Sequence, residues 1–341
     1  MKTPPVLIGA ALLGLFTAPL SAAPYSAIYA FGDSLSDAGN AYIATGGATP
    51  PAPPYALVNG FGVFSNGPVW VQNLAGELGL GPLLPSLAGG TDFAIGGART
   101  GAFGAYGGSP GDLLPAAGNP ASASQLGMFV ADVPHPAANA LYTLAIGAED
   151  LFTIFTLDAG NPIWANADAT AVLGNIATFI GDLAADGAHS FVMLNVPDLG
   201  LTPNVRAMGP TVAAEVSAFT GAFDAALQNT LASLAQSDGL DIRLVDTFAL
   251  VNQAVADLAS FGLTNVTDPC LPPGTSTPCA TPNQYLFWDD FHPTETGHLL
   301  LADAALPEPS ALALIATGLG LLGLIALNRR IRAETGRARA S

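Results

Sequence analysis

The chain has 341 residues, 26 acidic against 9 basic, for a formal net charge of −17, and half of its residues are hydrophobic. That much apolar content with only 10% charged residues excludes a disordered chain, which stays solvated through many charges and few apolar groups. Nucleic-acid binding is excluded on the same footing, because no basic stripe is present to displace counterions from phosphates.

Residues 1–22 carry a basic start at Lys2, an apolar stretch from Val6 to Leu20 and small residues around Ser21 and Ala22. This is the pattern of a secretory signal peptide, with the cut placed after Ala22. In the body from Pro24 to Leu306, 24 acids face 3 bases, a net −21. A body of 283 residues suits one large α/β domain or two small ones, and no charged or Ser-rich linker divides it. Short apolar runs at 27–31, 92–95, 141–146, 191–195 and 242–245 read as buried strands. Helical patterns lie between them: 170–183 sets Val172, Ile176, Phe179 and Ile180 on one face, and 212–234 repeats the spacing from Val216 to Leu234. Strands alternating with helices predict a three-layer α/β/α fold, doubly wound around a mostly parallel sheet, with the ligand crevice at the C-terminal strand ends. The Gly/Pro/Ala-rich stretches 46–60 and 101–136 read as surface loops.

Cys270 and Cys279 are close enough in sequence to be joined by a disulfide in an oxidising compartment. So short a loop would contribute slightly under about 3 kcal/mol in the chain-entropy description. Two free thiols are the alternative, and a zinc site would need more ligands than this loop offers. Further on, residues 311–327 form a run of 17 without a charge, followed by Arg329, Arg330 and Arg332. The run is at the lower limit for spanning a bilayer, with its basic end favouring the cytoplasmic side. Gly318, Gly320 and Gly323 within it match the dinucleotide spacing G-x-G-x-x-G, but no strand precedes them, so they read as a small-residue helix face. The single lysine, Lys2, lies in the leader, which leaves no Walker-type loop. No cofactor or metal is expected.

Two segments carry chemistry. After the first strand, Gly32-Asp33-Ser34-Leu35 sets a serine at a strand's C-terminal end, flanked by small residues and opening a helix whose N-terminus would supply N–H donors. Taken alone that serine is as readily an N-cap as a nucleophile. Near the far end, Asp289 stands three residues before His292, ahead of a helical 295–305. A serine hydroxyl becomes a nucleophile when an imidazole takes its proton, and the imidazole needs an acceptor to fix its tautomer. Asp289 and His292 on one short loop supply both roles. The other histidines, His135, His189 and His298, read as surface or packing residues.

Five ordered blocks resemble the GDSL, or SGNH, hydrolase family: Gly32-Asp33-Ser34-Leu35; Asp92-Phe93-Ala94-Ile95-Gly96-Gly97-Ala98; Ile146-Gly147-Ala148-Glu149-Asp150; Asn195-Val196-Pro197-Asp198-Leu199-Gly200; and Asp289-x-x-His292-Pro293. The segment from Phe64 to Trp70 is similar to the family's secreted esterase/lipase branch. The resemblance spans nearly all of 25–306. It implies an SGNH, flavodoxin-like fold, Ser34 as nucleophile, His292 as base then acid, Asp289 as its orienter, and oxyanion donors from the backbone of Ser34 and Gly96. The third block departs from the family's G-x-N-D, with Glu149 where an Asn amide is expected. An ionised carboxylate donates no proton and repels the developing charge. Three readings stay open: Glu149 is protonated by burial and donates, an amide such as Asn195 or Asn66 takes over, or the site is feeble or non-catalytic.

Pro307-Glu308-Pro309-Ser310, the apolar run and its arginines together resemble the PEP-CTERM sorting tail of Gram-negative bacteria. Together with the leader pattern and the hydrolase blocks, that resemblance divides the chain into four expected parts: leader 1–22, hydrolase domain 23–306, sorting and transmembrane segment 307–332, and a basic tail 333–341. It further implies export to the cell surface, outer envelope or medium, with a membrane-embedded sorting peptidase as partner and membrane contact at least transiently through the tail. The activity implied is cleavage of carboxylic esters, of lipid or acetylated-carbohydrate type, through an acyl-enzyme on Ser34. The alternatives are acyl transfer by the same residues and a surface binding protein on a hydrolase scaffold.

Overall fold

The computed structural model describes residues 25–115, 124–157 and 162–307. Residues 1–22, read as a leader, and the part of the expected sorting segment beyond Pro307 lie outside the described residues. Among the described residues no helix is long and apolar enough to cross a membrane.

The architecture follows from strand alternation. Strand β1 (Ala27–Gly32) points Tyr29 and Phe31 to one face and Ile28 and Ala30 to the other, all buried. After helix α1 (Asn40–Ala44) and a two-residue-per-strand hairpin, β2 (Leu57–Val58) with β3 (Phe61–Gly62), come helix α2 (Trp70–Glu77) and helix α3 (Gln125–Asp132). Strand β4 (Ala140–Ala145) then pairs parallel to β1, with Ala27 opposite Ala140. Helices α4 (Ala148–Leu157) and α5 (Pro162–Ala185) lead to β5 (Ser190–Leu194), and α6 (Pro203–Ala207) and α7 (Pro210–Asp238) lead to β6 (Asp241–Val245). Helices α8 (Thr247–Ala256) and α9 (Glu295–Ala305) complete the described chain. The sheet order is β1-β4-β5-β6, parallel throughout.

The segment at 92–95, expected as a strand, is not a regular one. It bridges to Ala30 and is bonded to β1 by Ala30 N–H to Thr91, Phe93 N–H to Ala30 and Ile95 N–H to Gly32. Placed beside β1, it gives the order 2-1-3-4-5 of the flavodoxin-like doubly wound fold. Pro85 and Leu84 occupy its other side, so it never forms a full ladder.

One face of the sheet is covered by α3, α4, α5 and α7, through a buried aromatic cluster in which Phe31 stacks on Phe93 at 5.4 Å and meets Phe129 and Phe179 edge-on. The other face is covered by α2 and α9, with Trp70, Val71, Leu74, Leu301 and Ala302 against Ile28, Leu141 and Val192. Each large side chain fully buried this way stabilises the fold by about 1.5–3 kcal/mol.

The stretch 101–136, read as a surface loop, contains helix α3. Ser124 caps it by accepting from the Gly127 N–H, and Phe129 is buried in the aromatic cluster. Its eight residues hold too few apolar positions for the period to stand out from the Gly/Ala background. His298, expected as a packing or surface residue, is fully buried in α9, where Nδ1 accepts the Trp70 N–H at the start of α2. Burial, with the charge of nearby His292, pushes its pKa down to about 3, so it stays neutral.

Candidate active site

The site forms at the C-terminal end of β1. Gly32 takes φ +135° there, and a Cβ would stand 2.0 Å from the Ala145 carbonyl, so only glycine lets β1 and β4 run together to this point. Gln125 fixes the strand end from the side: its Oε1 accepts the Gly32 N–H at 2.9 Å, and its Nε2 donates to the carbonyls of Gly32 and Gly111. Nothing in the sequence singled Gln125 out, because a lone glutamine in a Gly/Ala-rich stretch carries no spacing signal.

Ser34 follows in a turn rather than at a helix start. Helix α1 begins at Asn40, and its first N–H groups are taken by Asp37, whose carboxylate accepts from Gly39, Asn40 and Ala41. The expected helix N-terminus at the serine is therefore absent. The physical reason is Asp37 itself, which ends the turn by capping the helix further on.

The three side chains expected to act together do meet. His292 Nε2 lies 2.8 Å from Ser34 Oγ, and Nδ1 lies 2.7 Å from Asp289 Oδ2 and 2.9 Å from Oδ1. With Nδ1–H donating to the carboxylate, Nε2 is left as the acceptor of the serine proton. Asp289 Oδ1 also accepts the backbone N–H groups of Phe291 and His292, and Oδ2 accepts the Tyr55 hydroxyl at 2.6 Å. Burial pushes the Asp289 pKa up, but the His292 charge and the hydrogen bonds from His292 and Tyr55 reverse this and bring it down to about 2. Burial would lower His292, and the Asp289 charge and hydrogen bond outweigh it, with Asp33 and Glu149 adding, so the imidazole pKa is raised.

Tyr55 lies in the stretch read only as a surface loop. It packs against Trp288 and the Cys270–Cys279 disulfide, whose Cα atoms are 4.8 Å apart. The disulfide loop is tied to the Asp289 segment by backbone bonds from Cys270 to Phe287 and from Leu271 to Trp288. Phe64 packs against His292 with ring centroids 5.1 Å apart and planes tilted by 34°, and Gly96 leaves room for its ring, since a Cβ there would meet Phe64 at 2.3 Å.

The oxyanion side departs from expectation at two points. The Gly96 N–H donates to Asp37 Oδ2 at 2.8 Å and so is already occupied. Among the described residues the N–H groups of Ser34 and Gly97 have no acceptor. Glu149 lines the same cavity as Ser34 and His292, but its side chain is 35% exposed and stands 4.0 Å from the Arg99 guanidinium. Glu149 therefore faces solvent and a guanidinium rather than an apolar enclosure. Both proposed substitute amides are engaged in part: Asn195 Nδ2 donates to Asp246 and its Oδ1 accepts from Thr247 and Phe248, while Asn66 Oδ1 accepts the Glu295 N–H and its Nδ2 donates to Asn283. Arg99 is itself held by its Nε–H to Thr153 at 2.5 Å and by the Tyr106 ring at 4.7 Å.

Asp33 lies under the serine, fully buried, with Oδ1 accepting the Leu35 N–H and Oδ2 without a partner among the described residues. Burial pushes its pKa up to about 7, the Glu149 and Asp150 charges adding to the effect.

A family model for the GDSL-like Lipase/Acylhydrolase matches residues 28–305. The chain belongs to that family. Among curated relatives, Esterase EstA of Pseudomonas aeruginosa is 29% identical over 338 aligned residues, covering 89% of this chain and 50% of its own. The thermolabile hemolysin of Vibrio parahaemolyticus is 26% identical, with 84% of this chain and 64% of its own covered. GDSL esterase/lipase EXL2 of Arabidopsis thaliana is 27% identical over 81% of this chain and 86% of its own. The chain spans about half the length of several of the curated relatives it matches. Among solved structures, a catalytic mutant of an acetylxylan esterase from Geobacillus stearothermophilus is similar at TM-score 0.41 and 13% identity, covering 82% of this chain and 91% of that one.

Proposed function

We propose that this family member is an exported serine hydrolase that cleaves carboxylic esters through an acyl-enzyme on Ser34. The observation that carries the reading is the unbroken relay from Ser34 Oγ to His292 Nε2 at 2.8 Å and from His292 Nδ1 to Asp289 at 2.7 Å. In the first half-reaction His292 takes the Ser34 proton as Oγ attacks the ester carbonyl. The imidazolium that forms is stabilised by Asp289, and its proton passes to the departing alcohol. In the second half-reaction His292 activates water, the acyl–Oγ bond breaks, and the acid leaves with Ser34 reprotonated. Two N–H groups, of Ser34 and Gly97, are the donors best placed in sequence and free to receive the oxyanion.

Glu149 supplies no third donor, and its charge opposes that of the oxyanion, so turnover is below what the same relay would reach with an amide at 149. Acyl transfer uses the same residues, with another alcohol in place of water. The leader at 1–22, the disulfide and the resemblance of 307–332 to a sorting tail support export to the envelope of a Gram-negative cell, with a sorting peptidase acting on the tail and the hydrolase unit at 23–306. A p-nitrophenyl ester assay on purified protein tests the chemistry. Ser34→Ala is expected to lower kcat by about 10⁴ or more with the melting temperature unchanged, since the nucleophile is indispensable to the relay. Equal rates in the variant and the parent would refute the reading.

A further inference from the structure

Two concave spaces flank the Ser34–His292 pair, and they differ in which of the reacting groups they contain. The first, of about 420 Å³, includes Ser34 and His292 and is otherwise walled mainly by apolar side chains such as Leu250, Val251 and Ala254 of α8 and Leu300 of α9. The second, of about 380 Å³, includes His292, Asp289 and Asp290 but not Ser34. Its walls are two proline-rich loops distant in sequence, with Pro50, Pro51 and Pro54 on one side and Pro272 and Pro273 on the other. Phe291, 41% exposed and edge-on to Phe152 at 5.4 Å, stands with His292 at the border of both.

The chemistry of ester cleavage orients a substrate across that border. The acyl group is bonded to Ser34 Oγ in the intermediate, so it occupies the space that contains Ser34. The alcohol oxygen must take its proton from His292 Nε2, so the alcohol leaves on the His292 side. We propose, on the basis of the serine-hydrolase reading, that the first cavity is an acyl-chain site for medium-length saturated chains and that the proline-walled cleft holds a bulky, uncharged alcohol. A methylene takes about the room of a water, roughly 30 Å³, so the first cavity, of about 420 Å³, has room for about fourteen chain carbons. Octanoyl and decanoyl groups fit, acetyl leaves most of the apolar wall uncovered, and palmitoyl exceeds the space. Charge points the same way: Asp289 and Asp290 in the cleft and Glu149 in the cavity disfavour anionic alcohols and repel the fatty-acid product from Ser34. The prolines give the cleft rigid, weakly polar walls, which suit the flat face of a ring.

The test is a matrix of esters on the whole chain. With p-nitrophenyl acetate, butyrate, octanoate and palmitate, each methylene buried is worth up to about fourfold. We expect kcat/KM for octanoate at least thirtyfold above acetate, with palmitate below octanoate. Val251→Trp, which fills the α8 wall, is expected to lower the octanoate-to-acetate ratio at least tenfold. Leu250→Ala, which enlarges the cavity, is expected to raise the palmitate-to-octanoate ratio at least threefold. With benzyl and ethyl octanoate, which have leaving groups of similar basicity, the benzyl ester is expected to lead at least fivefold, and Pro273→Trp is expected to abolish that lead. Ratios that do not move in the α8 variants, or a parent enzyme that favours acetate, overturn the acyl assignment while leaving the hydrolase reading standing. A benzyl lead that is absent, or that survives Pro273→Trp, overturns the assignment of the cleft. Ester turnover that survives Ser34→Ala removes both, because it denies the acyl-enzyme from which the orientation was derived.

Discussion

The two segments that meet at the Ser34–His292 hydrogen bond are held by different physics. The serine segment is fixed by buried carboxylates that accept backbone N–H groups. Asp37 takes four of them, from Gly39, Asn40, Ala41 and Gly96, and Asp92 takes those of Ala38 and Ala94. Glycine at 32 lets the backbone pass where a side chain would collide. The histidine segment relies on a single buried acid, Asp289, which accepts the N–H groups of Phe291 and His292. It is fixed by a covalent bridge, by aromatic packing of Trp288 against Tyr55, and by hydrogen bonds that converge on Asp289. The first arrangement places the nucleophile through acids in the core whose pKa values desolvation raises and backbone N–H donors hold back. The second keeps one acid fully charged next to its imidazole. The same residue type serves as scaffold on one side and as electrostatic partner on the other, and burial against hydrogen bonding decides which.

Among changes that leave the nucleophile in place, the largest effect is expected where that division is violated. Glu149 sits on the serine side as an acid without backbone N–H partners among the described residues, balanced only by Arg99 at 4.0 Å. Glu149→Asn removes its charge and provides an amide. Restoring one oxyanion donor is worth up to about 10²–10³ in kcat, and at least a tenfold rise in p-nitrophenyl ester turnover is expected. Because Glu149 also raises the His292 pKa, the acid limb of the kcat/KM profile should move to lower pH in the same variant. A kcat that is unchanged or lower would show that the missing donor is not what limits the enzyme.

The contrast also explains what the sequence disclosed. The strands at 141–146, 191–195 and 242–245 and the helices at 170–183 and 212–234 were legible because burial on a sheet face or helix stripe imposes a period on apolar residues. Ser34, Asp289 and His292 were legible because chemistry requires those types within short motifs. Tyr55, Gln125 and Arg99 were not, because each acts through long-range hydrogen bonds or ion pairs made from a Gly/Pro/Ala-rich stretch, and no local period records such contacts. The occupation of the Gly96 N–H by Asp37 was hidden for the same reason, the two residues being 59 positions apart.

On the histidine side, Tyr55→Phe deletes a hydrogen bond to a charged group, worth about 1.5–3 kcal/mol. A fall in kcat of about tenfold is expected. With the hydroxyl gone, more of the Asp289 negative charge falls on His292, its pKa rises further, and the acid limb of the kcat/KM profile moves to higher pH. A purely structural role for Tyr55 would lower the plateau without moving the limb. A smaller effect on turnover is expected from Cys270→Ser with Cys279→Ser, which leaves the Asp289 hydrogen bonds intact. Its cost should appear as a stability loss of slightly under about 3 kcal/mol in urea unfolding. A loss of turnover greater than that in Tyr55→Phe would place the bridge, rather than the hydroxyl, as the main support of the relay.

The acids of the serine side and the surrounding core give the last and smallest effect. Burial raises Asp33 and Asp150 to about 7 and Asp224 to about 8, all above the value near 4 of an unfolded chain, and His292 is raised as well. Each of these groups binds its proton more tightly in the folded state. Between pH 6.5 and 8.5 the folded state therefore holds more protons than the unfolded one, and stability falls as pH rises through that window. Asp289, with a folded pKa of about 2, acts in the opposite sense only at lower pH, while His298, at about 3 against 6.5 unfolded, opposes the decline weakly at the acid edge of the window, where three raised acids outweigh it. The melting temperature should accordingly decline by a few degrees from pH 6.5 to 8.5. Asp224→Asn is expected to flatten part of that decline, since Asp224 has a carboxylate oxygen buried without a partner and neighbours Asp198 and Asp246 of like charge. A melting temperature that rises across the window, or a slope untouched by Asp224→Asn, would mean that the buried acids are held charged by contacts stronger than the backbone N–H groups that face them.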